Sequence, residues 1–181
     1  MNEGYKSIQG WFDFQDIYQQ AVEEAVDGAH FVEVGTFKGR SAAFMAALIR
    51  DSGKRIQFDC VDTWKDVKGT PRGELFQVFR QDMERLQLTN YVNAVVAPSL
   101  AAVNAHLDRS LDLVFIDGDH SYGAVKADIE AWWPKVKFGG VLAGHDYRGK
   151  FAGVCKAVNE VLGKAVQRRK NSWWIRCGRA A

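Results

Sequence analysis

Glu33-Val34-Gly35-Thr36-Phe37-Lys38-Gly39-Arg40-Ser41 is the stretch on which the reading of this chain turns. Before it, His30 to Val34 is a short apolar run of strand type; after it, Ser41 to Arg50 is an Ala-rich segment of helical type. The two glycines therefore sit in a strand-to-helix turn, where a missing side chain lets a ligand approach the backbone. The spacing is GxxxG rather than GxGxxG. Without the middle glycine a pyrophosphate sits less easily on the helix N-terminus, so the loop suits a nucleoside ligand lacking phosphates better than NAD.

Outward from this turn, apolar runs alternate with segments of helical period. Trp11, Phe14, Tyr18, Ala21 and Ala25 step by three or four, which predicts an amphipathic helix over 11–27 ending near Gly28. Ile56 to Val61 reads as the second strand, Phe76, Phe79, Met83 and Leu86 as one helix face, and Val92 to Val96 as the third strand. Leu100 to Leu107 is a short helix and Leu111 to Ile116 the fourth strand. Val125, Ile129, Trp132 and Val136 mark a helix closed by Lys137 and Gly139-Gly140, with a fifth strand at Val141 to Ala143. After a last helix, Val154 to Leu162, come Ala165 to Arg169, a Lys170-Asn171 turn and Trp173 to Arg176, which read as an antiparallel hairpin. Strands spaced by such helices imply right-handed crossovers. The expected fold is α/β: a three-layer, Rossmann-like doubly wound sheet, mostly parallel, with a C-terminal antiparallel β-hairpin. Ligands of such sheets bind beyond the carboxyl ends of the strands.

Two further features lie at those ends. Asp62 closes Phe58-Asp59-Cys60-Val61-Asp62, where an acid can accept hydrogen bonds from both hydroxyls of a ribose; Trp64 offers a flat face to a base, or a lid to the core. Asp117, Asp119 and His120 follow the fourth strand, and His145-Asp146 follow the fifth, so five polar side chains are expected to converge beside the glycine loop. The alternative role for Asp119 and Ser121 is to cap the next helix. The loop from Lys65 to Gly73 is either a lid or an ordinary connection, and each Trp pair, Trp132-Trp133 and Trp173-Trp174, should put one ring inside and one outside.

From His30 onward the chain resembles the class I S-adenosylmethionine-dependent methyltransferases, on ExGxxxG, the acid after strand two and the closing hairpin. Phe115-Ile116-Asp117-Gly118-Asp119-His120-Ser121-Tyr122 and Gly139-Gly140-Val141-Leu142-Ala143-Gly144-His145-Asp146-Tyr147 look like a small-molecule O-methyltransferase branch of that superfamily. The resemblance implies S-adenosylmethionine as cofactor. Glu33 and the loop of Gly35, Thr36, Phe37, Gly39 and Ser41 would hold its methionine part. Asp62, with Thr63 and Trp64 beside it, would serve the ribose and base; Ser99 would lie near the adenine, and Asp117 would also belong to the cofactor site. The family's Gly-Asp-Ser after strand three reads Ala97-Pro98-Ser99 here, which removes the usual acidic adenine contact.

For the acceptor two mechanisms stay open. In one, Asp117, His145 and Asp146 bind a divalent metal that lowers the pKa of an acceptor hydroxyl, with Mn²⁺ suiting the imidazole better than Mg²⁺. In the other, His120 or His145 is a general base oriented by Asp117 or Asp146. The competing readings of the whole chain are an NAD-dependent oxidoreductase, disfavoured by GxxxG and the lack of a Tyr-xxx-Lys pair, and a catalytically silent cofactor-binding module that acts through a partner.

Composition bounds these readings. The 181 residues, 47% hydrophobic and 25% charged, fit one domain: an N-terminal helical segment over 1–28, a cofactor-binding core over 29–149 and a terminal helix and hairpin over 150–181. The net charge of +2 hides a split, with 16 basic and 21 acidic residues up to 149 against 8 and 1 beyond. That balance does not favour nucleic acid as the main partner; a small-molecule acceptor is expected instead. Three scattered cysteines and the absence of a long apolar run point to a cytoplasmic protein without a membrane span. The N-terminal helix is expected to cover the acceptor pocket or to make a homodimer contact.

Overall fold

A computed structural model of the chain describes residues 3–65 and 73–178, so most of the loop between Lys65 and Gly73 lies outside the described residues. One seven-stranded sheet runs in the order β3-β2-β1-β4-β5-β7-β6. Its strands are β1 (Ala29–Val34), β2 (Ile56–Asp62), β3 (Asn93–Val96), β4 (Leu111–Ile116), β5 (Val136–Gly144), β6 (Gln167–Arg169) and β7 (Ser172–Arg176). The first five are parallel, and β7 enters antiparallel between β5 and β6. Helices α1 (Gln15–Glu24), α2 (Arg40–Ser52) and α3 (Glu74–Arg85) cover one face; α4 (Ser99–Ala102), α5 (Tyr122–Trp132) and α6 (Ala152–Leu162) cover the other.

Strand alternation explains the two layers. Phe31, Phe58, Cys60, Leu113 and Phe115 point to the α1–α3 side, while Val32, Val61, Val114 and Ile116 point to the α4–α6 side. Strands buried on both faces read as near-continuous apolar runs, which is why β1, β2 and β4 were legible. Among the described residues no helix is long and apolar enough to cross a membrane.

Three expectations change. The helix expected over 11–27 is only Gln15–Glu24: Phe12 and Phe14 are both buried while Trp11 is 79% exposed, an inside-outside alternation proper to extended chain. Lys137 and Gly139-Gly140 do not close a helix but lie within β5, which starts at Val136 and bulges between its pairings with Leu111 and Leu113. Trp173 and Trp174 do face opposite sides, yet both pack, because the sheet has helices on each face. Trp132 is fully buried and Trp133 half-buried against the same cluster.

Candidate active site

The ladder continues past the strand ends and fixes the loops that form the site. Gly35 donates to the Val61 carbonyl, Asp117 to Val34 and His145 to Ile116, each through its backbone N–H. Gly35 (φ +90°) and Gly39 (φ +88°) hold conformations that favour glycine. Their missing side chains, however, make room for protein: a Cβ on Gly35 would overlap the Asp117 carbonyl, and one on Gly39 would lie 2.6 Å from the Phe79 ring. The close approach expected of a ligand is thus used first by β4's loop and by α3.

Asp62 ties the same turn down. Its Oδ2 accepts from the backbone N–H of Thr36 (2.9 Å) and Phe37 (2.8 Å), and its Oδ1 from that of Trp64 (2.8 Å). The acid expected at the ribose therefore also orders the glycine loop. Trp64 is 4% exposed, packs on Phe76 and Phe79, and donates its indole N–H to the Phe37 carbonyl. Packed so, it serves as a lid on the core, one of its two expected roles. Ser99 is likewise engaged, donating to Asp128 (2.6 Å) and accepting from the Trp132 indole (2.8 Å).

Glu33 is the fifth residue of β1, two positions before Gly35, and is 1% exposed. Tyr18 donates to its Oε2 at 2.5 Å, while Oε1 and the neighbouring Thr36 hydroxyl are buried without a partner. Burial raises its carboxyl to about 7; the hydrogen bond from Tyr18 pulls the other way. An unpartnered buried acceptor costs about 1–3 kcal/mol, so this oxygen is poised for a donor.

Asp117, His120, His145 and Asp146 meet beyond the ends of β4 and β5. His120 Nε2 lies 2.8 Å from Asp146 Oδ2 and 3.9 Å from Asp117 Oδ1. His145 is buried, its Nε2 2.7 Å from Asp13 Oδ1 and its Nδ1 3.6 Å from both Asp117 and Asp146. Burial alone would lower the His145 ring, but the nearby charge of Asp117, then the hydrogen bond to Asp13 and the charge of Asp146, raise it to about 9, so it is a cation at neutral pH. Asp117 and Asp146 also hold His120 above its ordinary value; the shorter contact is to Asp146. Asp146 itself sits at φ +55°, a strained conformation for a non-glycine residue.

Gly35, Thr36, Phe37 and Ser41 on one side and Asp117, His120, His145 and Asp146 on the other line a single cleft of about 160 Å³ that opens to solvent. Of the residues expected at the cofactor, Glu33, Gly39, Asp62, Thr63, Trp64 and Ser99 are not among its lining residues. Asp119 and Ser121 stand at the start of α5, where Asp119 accepts from the Ser121 N–H and Ser121 caps the helix.

Sequence reasoning missed the rest of the wall. Gln9, Gly10 and Trp11 complete it, and Arg40 holds them there by donating to the Gly10 carbonyl (2.8 Å) while its buried Nε has no partner. The N-terminal segment thus covers the cleft of its own chain. Asp13, which anchors His145 and accepts from Asn171 Nδ2 (2.7 Å), was hidden by reading 11–27 as helix. The signal was Phe12-Asp13-Phe14, an acid between two apolar residues at strand spacing.

A methyltransferase domain family model matches residues 32–147, spanning both the glycine loop and the His-Asp cluster. The chain belongs to that family. This methyltransferase domain is 28% identical over 118 residues, 64% of its length, to the uncharacterized protein y4gI of Sinorhizobium fredii, of which it spans only 13%. In fold it is similar to the O-methyltransferase NovP (TM-score 0.73, 17% identity, 91% of this chain and 79% of that one). It is also similar to cofactor-bound Rv0187 from MTB (TM-score 0.68, 16% identity, 97% and 87%).

Proposed function

We propose that this methyltransferase domain transfers a methyl group from S-adenosylmethionine to a hydroxyl of a small molecule. The observation that carries the proposal is the shared cleft: the glycine loop and the His120–Asp146 pair open into the same space. The residues fit the cofactor's amino-acid end. Glu33 Oε1 is a buried acceptor without a partner, matched to an ammonium, and Arg40 Nε a buried donor without one, matched to a carboxylate.

When bound, S-adenosylmethionine supplies a methyl group made electrophilic by its sulfonium. The chain's task is then to align the acceptor oxygen and remove its proton. Asp146 occupies His120 Nε2, which leaves Nδ1 to take that proton, and the Asp146 carboxylate stabilises the imidazolium that results. Buried His145, cationic and fixed by Asp13, offsets part of the charge of Asp117 and Asp146, and Arg148, 3.1 Å from Asp146 Oδ1, offsets more.

A second reading has one specific observation behind it. Asp117, His120 and Asp146 offer ligand atoms within 4.8 Å of one another. This set shares Asp117 and Asp146 with the expected one and has His120 in the place of His145, whose Nδ1 still lies 3.6 Å from both carboxylates. Two carboxylates and an imidazole suit Mn²⁺ or Zn²⁺ better than Mg²⁺, and a metal held there would lower the acceptor's pKa while removing His120 as base. Activity lost on chelation and restored by Mn²⁺ assigns the metal reading; activity indifferent to chelation assigns His120.

The first test is calorimetric titration with S-adenosylmethionine and S-adenosylhomocysteine, and binding by neither would overturn the proposal. With a hydroxyl acceptor found, His120→Ala should lower kcat by about 10²–10⁴ with cofactor affinity retained. The three unpaired cysteines support a reducing, cytoplasmic location.

A further inference from the structure

The opposite end of the parallel strands carries a polar cluster that methyl transfer does not use. His30 is the second residue of β1, Asp59 lies mid-way along β2, and His106 follows the 3₁₀ turn Val103–Ala105. All three reach the α4–α6 face of the sheet. His30 Nε2 lies 2.7 Å from Asp59 Oδ2 and His106 Nε2 lies 3.8 Å from the same oxygen. One ligand atom from each residue falls within 4.8 Å of the others.

The geometry points to a site for a transition-metal dication, Zn²⁺ first, ligated by His30, Asp59 and His106. Zinc takes imidazole nitrogens and carboxylate oxygens at about 2.0–2.2 Å in tetrahedral array, which places ligand atoms about 3.4 Å apart. The observed 2.7 and 3.8 Å straddle that spacing, so small rotations of two rings admit the ion.

The surroundings have the features such a site needs. Asp59 Oδ1 accepts from Asn93 Nδ2 (2.9 Å) and Gln57 Nε2 (3.3 Å), which orients the carboxylate; Oδ2, with a longer contact to Gln57 (3.5 Å), faces the imidazoles. His106 is fixed by packing against Trp132, with ring centroids 5.3 Å apart. The Asp59 and His106 side chains are 4% and 6% exposed, whereas His30 is 20% exposed and provides the entry path and room for a water as fourth ligand. A metal here joins β1, β2 and the segment after α4, far apart in sequence, so its effect is on stability rather than on the cleft at the other strand ends.

The test uses the full chain, metal-stripped, with Zn²⁺ as probe. To keep the cleft cluster out of the count, His120→Ala serves as background. It should bind one Zn²⁺ per chain, with Tm raised by about 5–10 °C when Zn²⁺ is a hundredfold above its dissociation constant. His30→Gln and His106→Gln, each added separately, should abolish uptake and shift while cofactor titration shows the cleft intact. Should both variants fail to fold, Co²⁺ bound to the background protein decides, since imidazole-carboxylate ligation at low coordination number gives intense visible d–d bands. Zn²⁺ uptake unchanged in either folded variant, no uptake by the background protein, or an octahedral Co²⁺ spectrum overturns the proposal.

Discussion

Glu33 shares one oxygen with Tyr18 and keeps the other unpartnered, and burial holds its carboxyl at about 7. Such an acid is only part-ionised at neutral pH and gains most from a cation brought beside it. If that cation is the ammonium of S-adenosylmethionine, affinity should rise from about pH 5.5 to 7 as Glu33 ionises, then fall above roughly pH 8 as the α-amino group loses its proton. Calorimetry across this range checks the shape. Glu33→Gln should flatten the rising limb, and a flat limb in the unaltered protein removes Glu33 from the cofactor site. At His120 the neighbouring acids raise the pKa, so kcat should climb with pH through that elevated value. Asp146→Asn removes the nearer charge; its pH–kcat limb should move to lower pH, with kcat down by about 10–100-fold. An unmoved limb would mean that His120 is not the titrating base.

The turn between β1 and α2 is the element whose sequence said most and whose structure corrected most. The glycine turn after β1 located one wall of the cleft, because strand ends and glycine turns are set by local chemistry. It did not reveal that Gly35 makes room for β4's loop, or that Asp62 binds the loop's own N–H groups, since both depend on which strands become neighbours. Asp13 and Arg40 stayed hidden for the same reason: each acts across at least 30 residues, on His145 and Gly10 respectively. The β5 boundary was missed because Gly139-Gly140 normally signal a helix end, and here they form a bulge. The two glycines should differ on substitution. Gly35→Ala meets rigid backbone and should cost about 3 kcal/mol or more; Gly39→Ala meets a Phe79 ring that can shift and should cost about 1–2 kcal/mol. Equal losses in urea unfolding would contradict that assignment of roles.

Across the whole molecule, the split charge of the sequence closes on itself. Arg176 pairs with Glu24 (2.7 Å), Arg169 lies 3.5 Å from Asp16, and Lys170 donates to the Asp13 carbonyl, so the basic hairpin docks on the N-terminal segment. These pairs are exposed, each worth at most about 1 kcal/mol, and they leave less of the hairpin's charge for an anionic partner. The buried groups govern stability against pH. Glu33 is raised from 4.5 to about 7 and His145 from 6.5 to about 9. A group whose folded pKa exceeds its unfolded value stabilises fully below the unfolded pKa and loses that contribution as pH rises through the folded one. Both groups therefore act in the same direction in succession, Glu33 between about pH 4.5 and 7 and His145 between about 6.5 and 9, each on the order of 3 kcal/mol. The cofactor-free protein should be most stable near pH 5 and weaken steadily to pH 9. Urea unfolding at pH 5, 7 and 9 measures this: Glu33→Gln should flatten the first interval and His145→Gln the second, whereas a stability that rises from pH 5 to 9 would show that neither pair of buried contacts sets the balance.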